Sequence, residues 1–282
     1  MADTDPTIGV VGAGLIGTSL ALALKDNDPE QRILGYDSNE THAQQAMRRG
    51  AYDNFKATPA ELAHCCDIVV IATPVGVVRS VLTQLKDFAD NIIITDVGSV
   101  KGSVITDARS VWGKMPARMI PAHPIAGGEE SGPTAADKDL FRSRYVFLTP
   151  EPQSDTNALH TVQEMWQKVG TKVETLSPTE HDELFATTSH LPHIVAYALI
   201  NALEHSNVNT TFSAGGLKDF TRIAASDPTM WRDICMANSD NILKSIKTFE
   251  GSIATIREMI EQKEHTRLLE LLKQTAAEKG KM

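Results

Sequence analysis

The sequence has little of what marks secreted and membrane-spanning proteins. Its 282 residues include three cysteines, and two of them, Cys65 and Cys66, are adjacent, so no disulfide framework is indicated. A reducing cytoplasm is therefore the expected location. No apolar run approaches the roughly 20 residues that a membrane helix needs. Residues 1–6 have neither the basic region nor the apolar core of a signal peptide, so we expect neither a signal peptide nor a membrane partner.

Positive charge is also scarce. The 27 lysines and arginines against 36 aspartates and glutamates give a formal net charge of −9, which argues against a surface that binds nucleic acid. A small anionic substrate is compatible with this balance, because a few local arginines are enough to bind it. With 41% hydrophobic and 22% charged residues, the composition is typical of a globular protein, and the length suits one large domain or two ordinary ones.

The most informative stretch lies near the N-terminus. The apolar residues 8–11 are typical of a buried parallel strand, and glycines follow at G-x-G-x-x-G spacing before a helix-compatible stretch. In a dinucleotide-binding turn these glycines permit the tight turn, the approach of the pyrophosphate and the close packing of helix on strand. The helix N-terminus offers N–H groups to the phosphates. The alternative is a tight turn that binds nothing. The predicted cofactor-binding residues here are Gly12, Ala13, Gly14, Leu15, Ile16 and Gly17.

A second pattern supports the cofactor prediction. Residues 32–37 are typical of the next strand, and this strand ends in Asp37. Asp37 lies about 20 residues beyond the turn, where a carboxylate accepts hydrogen bonds from an adenosine ribose. It would repel a 2′-phosphate, and neither Ser38 nor Asn39 supplies a cation. We therefore expect NAD as the cofactor, with NADP also usable if Asp37 swings outward.

Strand and helix patterns alternate up to residue 177 and helical patterns alone follow it. One short strand begins at Ile120 and runs into a glycine-rich loop. The later helices are predicted at about 179–206, 229–249 and 251–277. The sequence therefore predicts an α/β fold, with a Rossmann-type doubly wound parallel sheet over residues 1–177 and an all-helical dimerisation domain over residues 178–282. Apolar faces on the long helices favour a homodimer.

Polar residues follow several of the predicted strands. Because the carboxyl ends of parallel strands meet at one edge of a sheet, the glycine turn should lie close to Thr73, Pro74, Ser99 and His123. Thr73 and Pro74 are predicted to contact the cofactor. An imidazole at a strand end can take a proton near neutral pH, although His123 would also suit a role in holding its loop. Ser99 opens a predicted helix, so its alternative role is that of an N-cap, which is common and compatible with hydrogen bonding to a ligand.

The helical half contains two further candidates. His190 and His193 are three residues apart, but no nearby cysteine or carboxylate completes a metal-binding set, so no metal is expected. Arg222 carries a planar fork suited to a carboxylate. Its alternative partners are Asp219 and Asp227, in a structural ion pair.

In these motifs the chain resembles the prephenate/arogenate (cyclohexadienyl) dehydrogenases of tyrosine biosynthesis over nearly its whole length. The first motif is common to many dehydrogenases, whereas the last three in this order are specific. The motifs are the glycine turn 12–17, Asp-Val-Gly-Ser-Val-Lys at 96–101, His-Pro-Ile-Ala-Gly at 123–127, Ser-His-Leu-Pro-His at 189–193, and Asp-Phe-Thr-Arg-Ile-Ala at 219–224 with Ser-Asp-Pro at 226–228 and Trp231.

The resemblance implies oxidative decarboxylation of prephenate to 4-hydroxyphenylpyruvate, of arogenate to tyrosine, or of both, with hydride transfer to NAD. His123 matches the family's catalytic base, and Ser99 matches the serine that hydrogen-bonds the same region of the substrate. The residues that match substrate-binding positions are His190 and Arg222 near the carboxylates, Glu129 near the pocket mouth, and Trp231, which the resemblance directs to the neighbouring subunit's site.

Two other functions would use the same N-terminal motif. One is another dehydrogenase with a Rossmann and a helical domain, acting on a small hydroxy acid or an imine. The other is a non-enzymatic sensor of NAD. Neither explains His123, the 189–193 motif and Arg222 together. Prephenate and arogenate differ only in a keto or amino group on the side chain, and both remain expected substrates.

Overall fold

The computed structural model describes residues 5–128, 130–206 and 215–281. Its N-terminal half is built on six parallel strands in the spatial order β3-β2-β1-β4-β5-β6, which confirms the predicted doubly wound sheet. The order reverses between β1 and β4, the switch point at which open α/β sheets bind ligands. The strands are β1 (Ile8–Val11), β2 (Ile33–Tyr36), β3 (Asn54–Phe55), β4 (Ile68–Ile71), β5 (Ile93–Asp96) and β6 (Met119–Ile120).

Helices cover both faces of this sheet because its central strands are apolar on both sides. Every residue of β1 and β4 is buried. Val10 packs into one hydrophobic cluster and its neighbour Val11 into another, since successive side chains of a strand point to opposite faces. The helices of this half are α1 (Leu15–Asn27), α2 (Glu40–Arg48), α3 (Pro59–Ala63), α4 (Val78–Gln84), α5 (Lys101–Trp112) and α6 (Thr156–Lys168).

The strand predicted to begin at Ile120 is in fact two strands in two sheets. β6 ends at Ile120, and β7 (Ala122–Pro124) begins after Pro121. Proline has no N–H to give to a ladder, which is a physical reason for the break at this point. β7 pairs antiparallel with β8 (Tyr145–Leu148), and β8 pairs parallel with β9 (Lys172–Thr175). This small second sheet, which the pattern did not indicate, sets the direction of His123.

The C-terminal half is helical in its described residues, as predicted, but its helix boundaries differ from the predicted ones. The expected helix 179–206 contains a π-helical turn at 186–190. The expected break before Gly251 is wrong: Gly251 lies inside a long helix, and the chain breaks instead at Asn238 and near Lys263, whose φ is +56°. The helices are α7 (Pro178–Phe185), α8 (Leu191–His205), α9 (Gly215–Thr221), α10 (Pro228–Ala237), α11 (Ser239–Glu261) and α12 (His265–Lys279).

The last helices leave much apolar surface uncovered within the single chain. α12 has no buried residue along its described length, and it packs on α11 as a hairpin. None of the described helices is both long enough and apolar enough to cross a bilayer. The exposed apolar residues of α10 to α12 are Met230, Met236, Leu243, Ile253, Ile260, Leu269 and Leu272.

Candidate active site

The glycine turn has the geometry of a dinucleotide-binding turn. Gly12 has a φ of +102°, and a Cβ there would lie 2.5 Å from the carbonyl oxygen of Ala72. A Cβ at Gly17 would lie 2.1 Å from the carbonyl oxygen of Gly12, so turn and helix touch. A Cβ at Gly14 would meet no described atom within 4 Å. The first and third glycines are therefore required by packing, and the second faces open space of the kind that a pyrophosphate needs.

The first turn of α1 is open to an anion. Its N-cap is Gly14, and in the described part of the chain no side chain caps it and no acid lies in its first turn. The Thr18 hydroxyl donates to the carbonyl oxygen of Ala13 and holds the turn. Beside it, the Oγ1 atom of Thr73 is buried and has no hydrogen-bond partner among the described residues. Free N–H groups, an unpaired hydroxyl and open space at Gly14 together fit a dinucleotide. Pro74 follows Thr73 at the same strand end and is exposed.

Asp37 lies at the end of β2 against this turn. Its carboxylate accepts hydrogen bonds from the N–H of Ala13 at 2.7 Å and from the N–H of Asn39 at 2.8 Å. The Nδ1 atom of His42 is 3.9 Å from the same carboxylate, a neighbour that the sequence did not indicate. Asp37 therefore lies at the end of β2 beside the glycine turn and ties the second strand to it.

The second part of the site is a buried group of three histidines, His123, His181 and His190, here called the histidine cluster. β7 carries His123, α7 carries His181, and the π-helical turn ends at His190. The Nδ1 atom of His123 is 2.9 Å from the Nε2 atom of His181. The Nδ1 atom of His181 is in turn 2.8 Å from the Oδ1 atom of Asp182. Phe185 packs edge-on against the His123 ring, with ring centroids 4.9 Å apart.

Asp182 decides the protonation of this chain of contacts. Its carboxylate accepts from the N–H groups of Lys101 and Gly102, at 2.8 Å each. Burial raises the pKa of Asp182, but the hydrogen bonds from His181 and from the two amides outweigh burial and lower it, so the group is a carboxylate. A carboxylate only accepts, so the Nδ1 atom of His181 carries the proton. The Nε2 atom of His181 then accepts from the Nδ1–H of His123, and the Nε2 atom of His123 is left unprotonated.

His123 is neutral as well as oriented. Burial, together with the charges of His181, Lys101 and His190, lowers its pKa well below the usual 6.5. A neutral imidazole with an unprotonated Nε2 atom is what a general base requires at neutral pH.

His190 has the opposite arrangement. Its Nδ1 atom lies 3.3 Å from the Nδ2 atom of Asn238, which also donates to the carbonyl oxygen of Asp182 at 2.8 Å. The Nδ2 atom of Asn241 donates to Asn238 Oδ1 and so fixes the amide. The Nδ1 atom of His190 is therefore an acceptor and its Nε2 atom carries hydrogen. This Nε2 atom is buried without a partner in the described ranges, and burial lowers the pKa of His190 to about 4, so it is a neutral donor.

Trp231 closes this end of the site within its own chain. Its ring is buried and stacks on His193, with centroids 3.8 Å apart, and meets His190 edge-on at 6.0 Å. Its Nε1 atom is also buried without a partner in the part of the chain that is described. Arg222 begins a 3₁₀ turn after α9, is exposed, and its charge lowers the pKa of His193 after the larger effect of burial. Arg222 thus lies at the Trp231 end of the histidine cluster.

Ser99 is not the N-cap of its helix, so the structure does not support this alternative role. The N-cap is Val100, and among the described residues no side chain of the flanking segment caps α5. The helix begins one residue later because the carboxylate of Asp182, from α7, takes its first amide groups. Ser99 is half-buried at the end of β5, on the segment that leads into α5. Glu129, the remaining predicted residue, lies outside the described residues.

A buried ion pair supports the segment that carries His123. The ammonium of Lys101 donates to Asp96 and, at 2.6 Å, to the carbonyl oxygen of Ala122. Asp96 also accepts from the N–H groups of Gly98 and Ala122. Ala122, the residue before His123, is therefore hydrogen-bonded through both its N–H group and its carbonyl oxygen. The sequence analysis listed the 96–101 motif, which contains both members of this ion pair, but assigned no role to either of them. It did not place His181, Asp182 and Asn238 at the site, because their only local signal is a His-Asp pair in a predicted helix.

Comparison with known proteins assigns both halves of the chain. Residues 20–175 match the family model described as the nucleotide-binding domain of prephenate dehydrogenase, and residues 177–274 match the one described as its dimerization domain. The chain belongs to the prephenate dehydrogenase family. It is therefore an oxidoreductase of the prephenate/cyclohexadienyl dehydrogenase class, with a nucleotide-binding half and a dimerisation half. The recognition from sequence is confirmed, and the two rival functions are not supported.

Individual members of this family resemble the chain over most of its length. It is 36% identical to the prephenate dehydrogenase of Bacillus subtilis, over 95% of this chain and 73% of that protein. It is 32% identical to the cyclohexadienyl dehydrogenase of Zymomonas mobilis, over 95% and 93% respectively. The structure of the Aquifex aeolicus prephenate dehydrogenase in complex with hydroxyphenyl propionate and NAD+ superposes with a TM-score of 0.92, at 35% identity and 99% coverage of both chains.

Proposed function

We propose that this chain catalyses the NAD-dependent oxidative decarboxylation of prephenate to 4-hydroxyphenylpyruvate, of arogenate to tyrosine, or of both, in tyrosine biosynthesis. The observation that carries the proposal is a buried, neutral His123 with an unprotonated Nε2 atom. His123 lies in the same nucleotide-binding half of the chain as the glycine turn, which has the geometry of a dinucleotide-binding turn. The relatives named above support the substrate class and the cofactor.

His123 takes the proton in this reaction. The substrate ring carries a hydroxyl and a hydrogen at C4 and a carboxylate at C1. As the O–H bond breaks, the proton moves to the Nε2 atom of His123, and the C4–H bond electrons leave as hydride. When bound, NAD accepts this hydride. The C1 carboxylate then leaves as CO2, and the electrons of the broken bond pass through the ring to the C4 oxygen, which takes the proton back from His123. The ring becomes aromatic, which makes the reaction strongly downhill, so the protein mainly has to orient the substrate and supply one base.

The donors at the other end of the site are assigned to the substrate's carboxylates. The buried Nε2–H of His190 and the guanidinium of Arg222 are the groups proposed to hold them. Trp231 shapes the same end and offers a second unpaired donor. Ser99 is proposed to hydrogen-bond the C4 hydroxyl region, and Glu129 to lie near the pocket mouth.

NAD is the proposed cofactor, held at the glycine turn, with Asp37 at the adenosine ribose. A 2′-phosphate would meet the Asp37 carboxylate, and two unit charges about 4 Å apart repel by about 1 kcal/mol in water. Asp37→Ala is therefore expected to raise NADP use relative to NAD about fivefold or more. The ratio of kcat/KM for the two cofactors measures this. Asp26→Ala, which removes an exposed carboxylate paired with Lys138, is the control. An unchanged ratio in Asp37→Ala would place Asp37 away from the ribose.

A homodimer in the cytoplasm is part of the same proposal. The family's dimerisation domain and the exposed apolar residues on α10 to α12 support pairing of two copies. The cytoplasm is supported by three cysteines that are all free, including an exposed Cys65. Light scattering coupled to size-exclusion chromatography tests the dimer, and a monomer at micromolar concentration would contradict it.

Initial rates test the activity itself. Prephenate and arogenate, each with NAD and with NADP, are followed by the absorbance of the reduced nicotinamide. We expect turnover with NAD and at least one of the two substrates. The absence of turnover with every pair would overturn the proposed function.

A further inference from the structure

We propose that His181 and Asp182 are positioning residues that fix the tautomer and the ring orientation of His123, so that its Nε2 atom faces the substrate as the base. The inference deepens the proposed function and rests on it for the identity of the base. Neither residue touches the substrate in this assignment. Both act through His123.

The contacts form a continuous chain across the two halves of the molecule. It runs from the first amides of α5, through the Asp182 carboxylate and the His181 ring, to the Nδ1 atom of His123, with every contact between 2.8 and 2.9 Å. All three side chains are buried, with exposures of 9% for His123, 0% for His181 and 6% for Asp182. Burial largely keeps water from competing for these contacts, so each hydrogen bond is stronger than it would be at the surface.

The direction of the chain is set at its Asp182 end. A neutral imidazole has two tautomers, and a contact between two ring nitrogens holds one hydrogen. If Asp182 were absent, either His123 or His181 could donate. Because two amide groups of α5 and the Nδ1–H of His181 all point at Asp182, this carboxylate is locked as an acceptor. The hydrogen between the rings then belongs to His123, and the charge that develops on His123 during proton transfer faces the carboxylate through His181.

A purely structural role for His181 makes a different prediction. His181 also packs against Phe185, with centroids 4.6 Å apart, and near Phe147 at 6.5 Å. If the ring were only a filler, phenylalanine would serve as well. His181→Phe keeps the ring and removes the acceptor. His181→Gln is the conservative variant, since its amide oxygen can reach the place of the Nε2 atom and accept from His123.

Steady-state kinetics of the holoenzyme with prephenate separate the two roles. We expect His181→Phe to lower kcat by about 10²-fold or more, because losing the correct tautomer of a catalytic histidine is costly. The KM for prephenate and the Kd for NAD are expected to stay within about threefold of wild type. His181→Gln is expected to recover most of the lost kcat. A His181→Phe enzyme with wild-type kcat would overturn the inference.

The tautomers can also be observed directly, without a measurement of turnover. In protein labelled with 15N-histidine, nitrogen chemical shifts distinguish a protonated from an unprotonated ring nitrogen, and the His123→Asn spectrum assigns the His123 signals. We expect hydrogen on the Nδ1 atom of His123 and on the Nδ1 atom of His181 in the wild-type protein at pH 7. Hydrogen on the Nε2 atom of His123 would overturn the inference. Wild-type protein with the expected tautomers but no turnover would instead contradict the proposed function.

Discussion

Two helices that follow strands of the parallel sheet begin in the same way, but their N-terminal N–H groups face different surroundings. α1 follows β1, α5 follows β5, and for both the described part of the chain supplies no capping side chain from the flanking segment. A helix N-terminus with unpaired N–H groups attracts an anion. At α1 that end lies at the glycine turn beside open space. At α5 the first two amides donate to the carboxylate of Asp182, which is 81 and 80 residues away along the chain.

The N-terminal ends of α1 and α5 therefore have different partners. The α1 end is open, and the proposed function assigns it to the phosphates of NAD, so its geometry is complete without the helical half. The α5 end uses the protein's own anion, which docks α7 on the nucleotide-binding half and brings His181 to His123. Cofactor binding and base chemistry should therefore respond to different substitutions.

The largest difference between the effect on turnover and the effect on cofactor binding is expected from substitution of His123, the proposed base. His123→Asn should lower kcat by about 10²- to 10⁴-fold, since general base catalysis contributes an effect of that size. The Kd for NAD, measured by fluorescence titration, should change little because the α1 end is untouched. His160→Asn alters an exposed histidine on α6 and serves as the control. Normal turnover by His123→Asn would remove the base assignment.

A substitution at the substrate's charged end should come next. Arg222→Ala is expected to raise the KM for prephenate about thirtyfold or more, because breaking a desolvated charge pair costs about 2–5 kcal/mol. The Kd for NAD should again stay unchanged. Arg222→Lys keeps the charge without the fork and should fall between the two, while Arg142→Ala removes an exposed arginine in the nucleotide-binding half as a control. An unchanged KM would refute the carboxylate role.

Removal of the Asp182 carboxylate should lower the stability of the protein. Asp182→Ala leaves two amides of α5 and the Nδ1–H of His181 without their acceptor, and each buried unpaired group costs about 1–3 kcal/mol. We expect the free energy of unfolding, from urea denaturation of the apo protein, to fall by about 3 kcal/mol, the lower end of the sum for the three groups, since the Gly102 amide is only partly buried. Asp139→Ala, at an exposed i,i+3 pair, should stay within about 0.5 kcal/mol. Equal effects of the two variants would show that the α5 end does not need Asp182.

The smallest effect is expected at the N-terminus of α1, where Gly14 faces open space. Gly14→Ala places a methyl group in open space, so stability should be unchanged while the Kd for NAD rises roughly tenfold, about 1.4 kcal/mol. Gly12→Ala is the matched contrast: its φ of +102° and the nearby Ala72 oxygen should make it destabilising without any ligand. If Gly14→Ala bound NAD normally, the space beside α1 would not be the phosphate site.

The sequence predicted the candidate residues at the glycine turn and His123, but not the contacts that connect His123 to the helical half. Gly12, Gly17 and Asp37 could be placed because strand, turn and helix are contiguous and their spacing is set by local geometry. His123 and His190 were reached through motifs. The capping of α5 by Asp182 could not be predicted because this residue is distant along the chain, and the predicted break between residues 249 and 251 is wrong because tertiary contacts at Asn238 set where α11 begins.

By itself, the sequence determined the order of strands and helices, the dinucleotide turn and the family. These depend on periodicity and on contacts between residues close in the chain. Only the tertiary structure decided which nitrogen of His123 is free to act as a base. That choice depends on His181, 58 residues away, and on amides that Asp182 meets across about 80 residues. Hydrogen-bond direction is a property of the assembled network, because each donor is settled only when its neighbour's acceptor is in place.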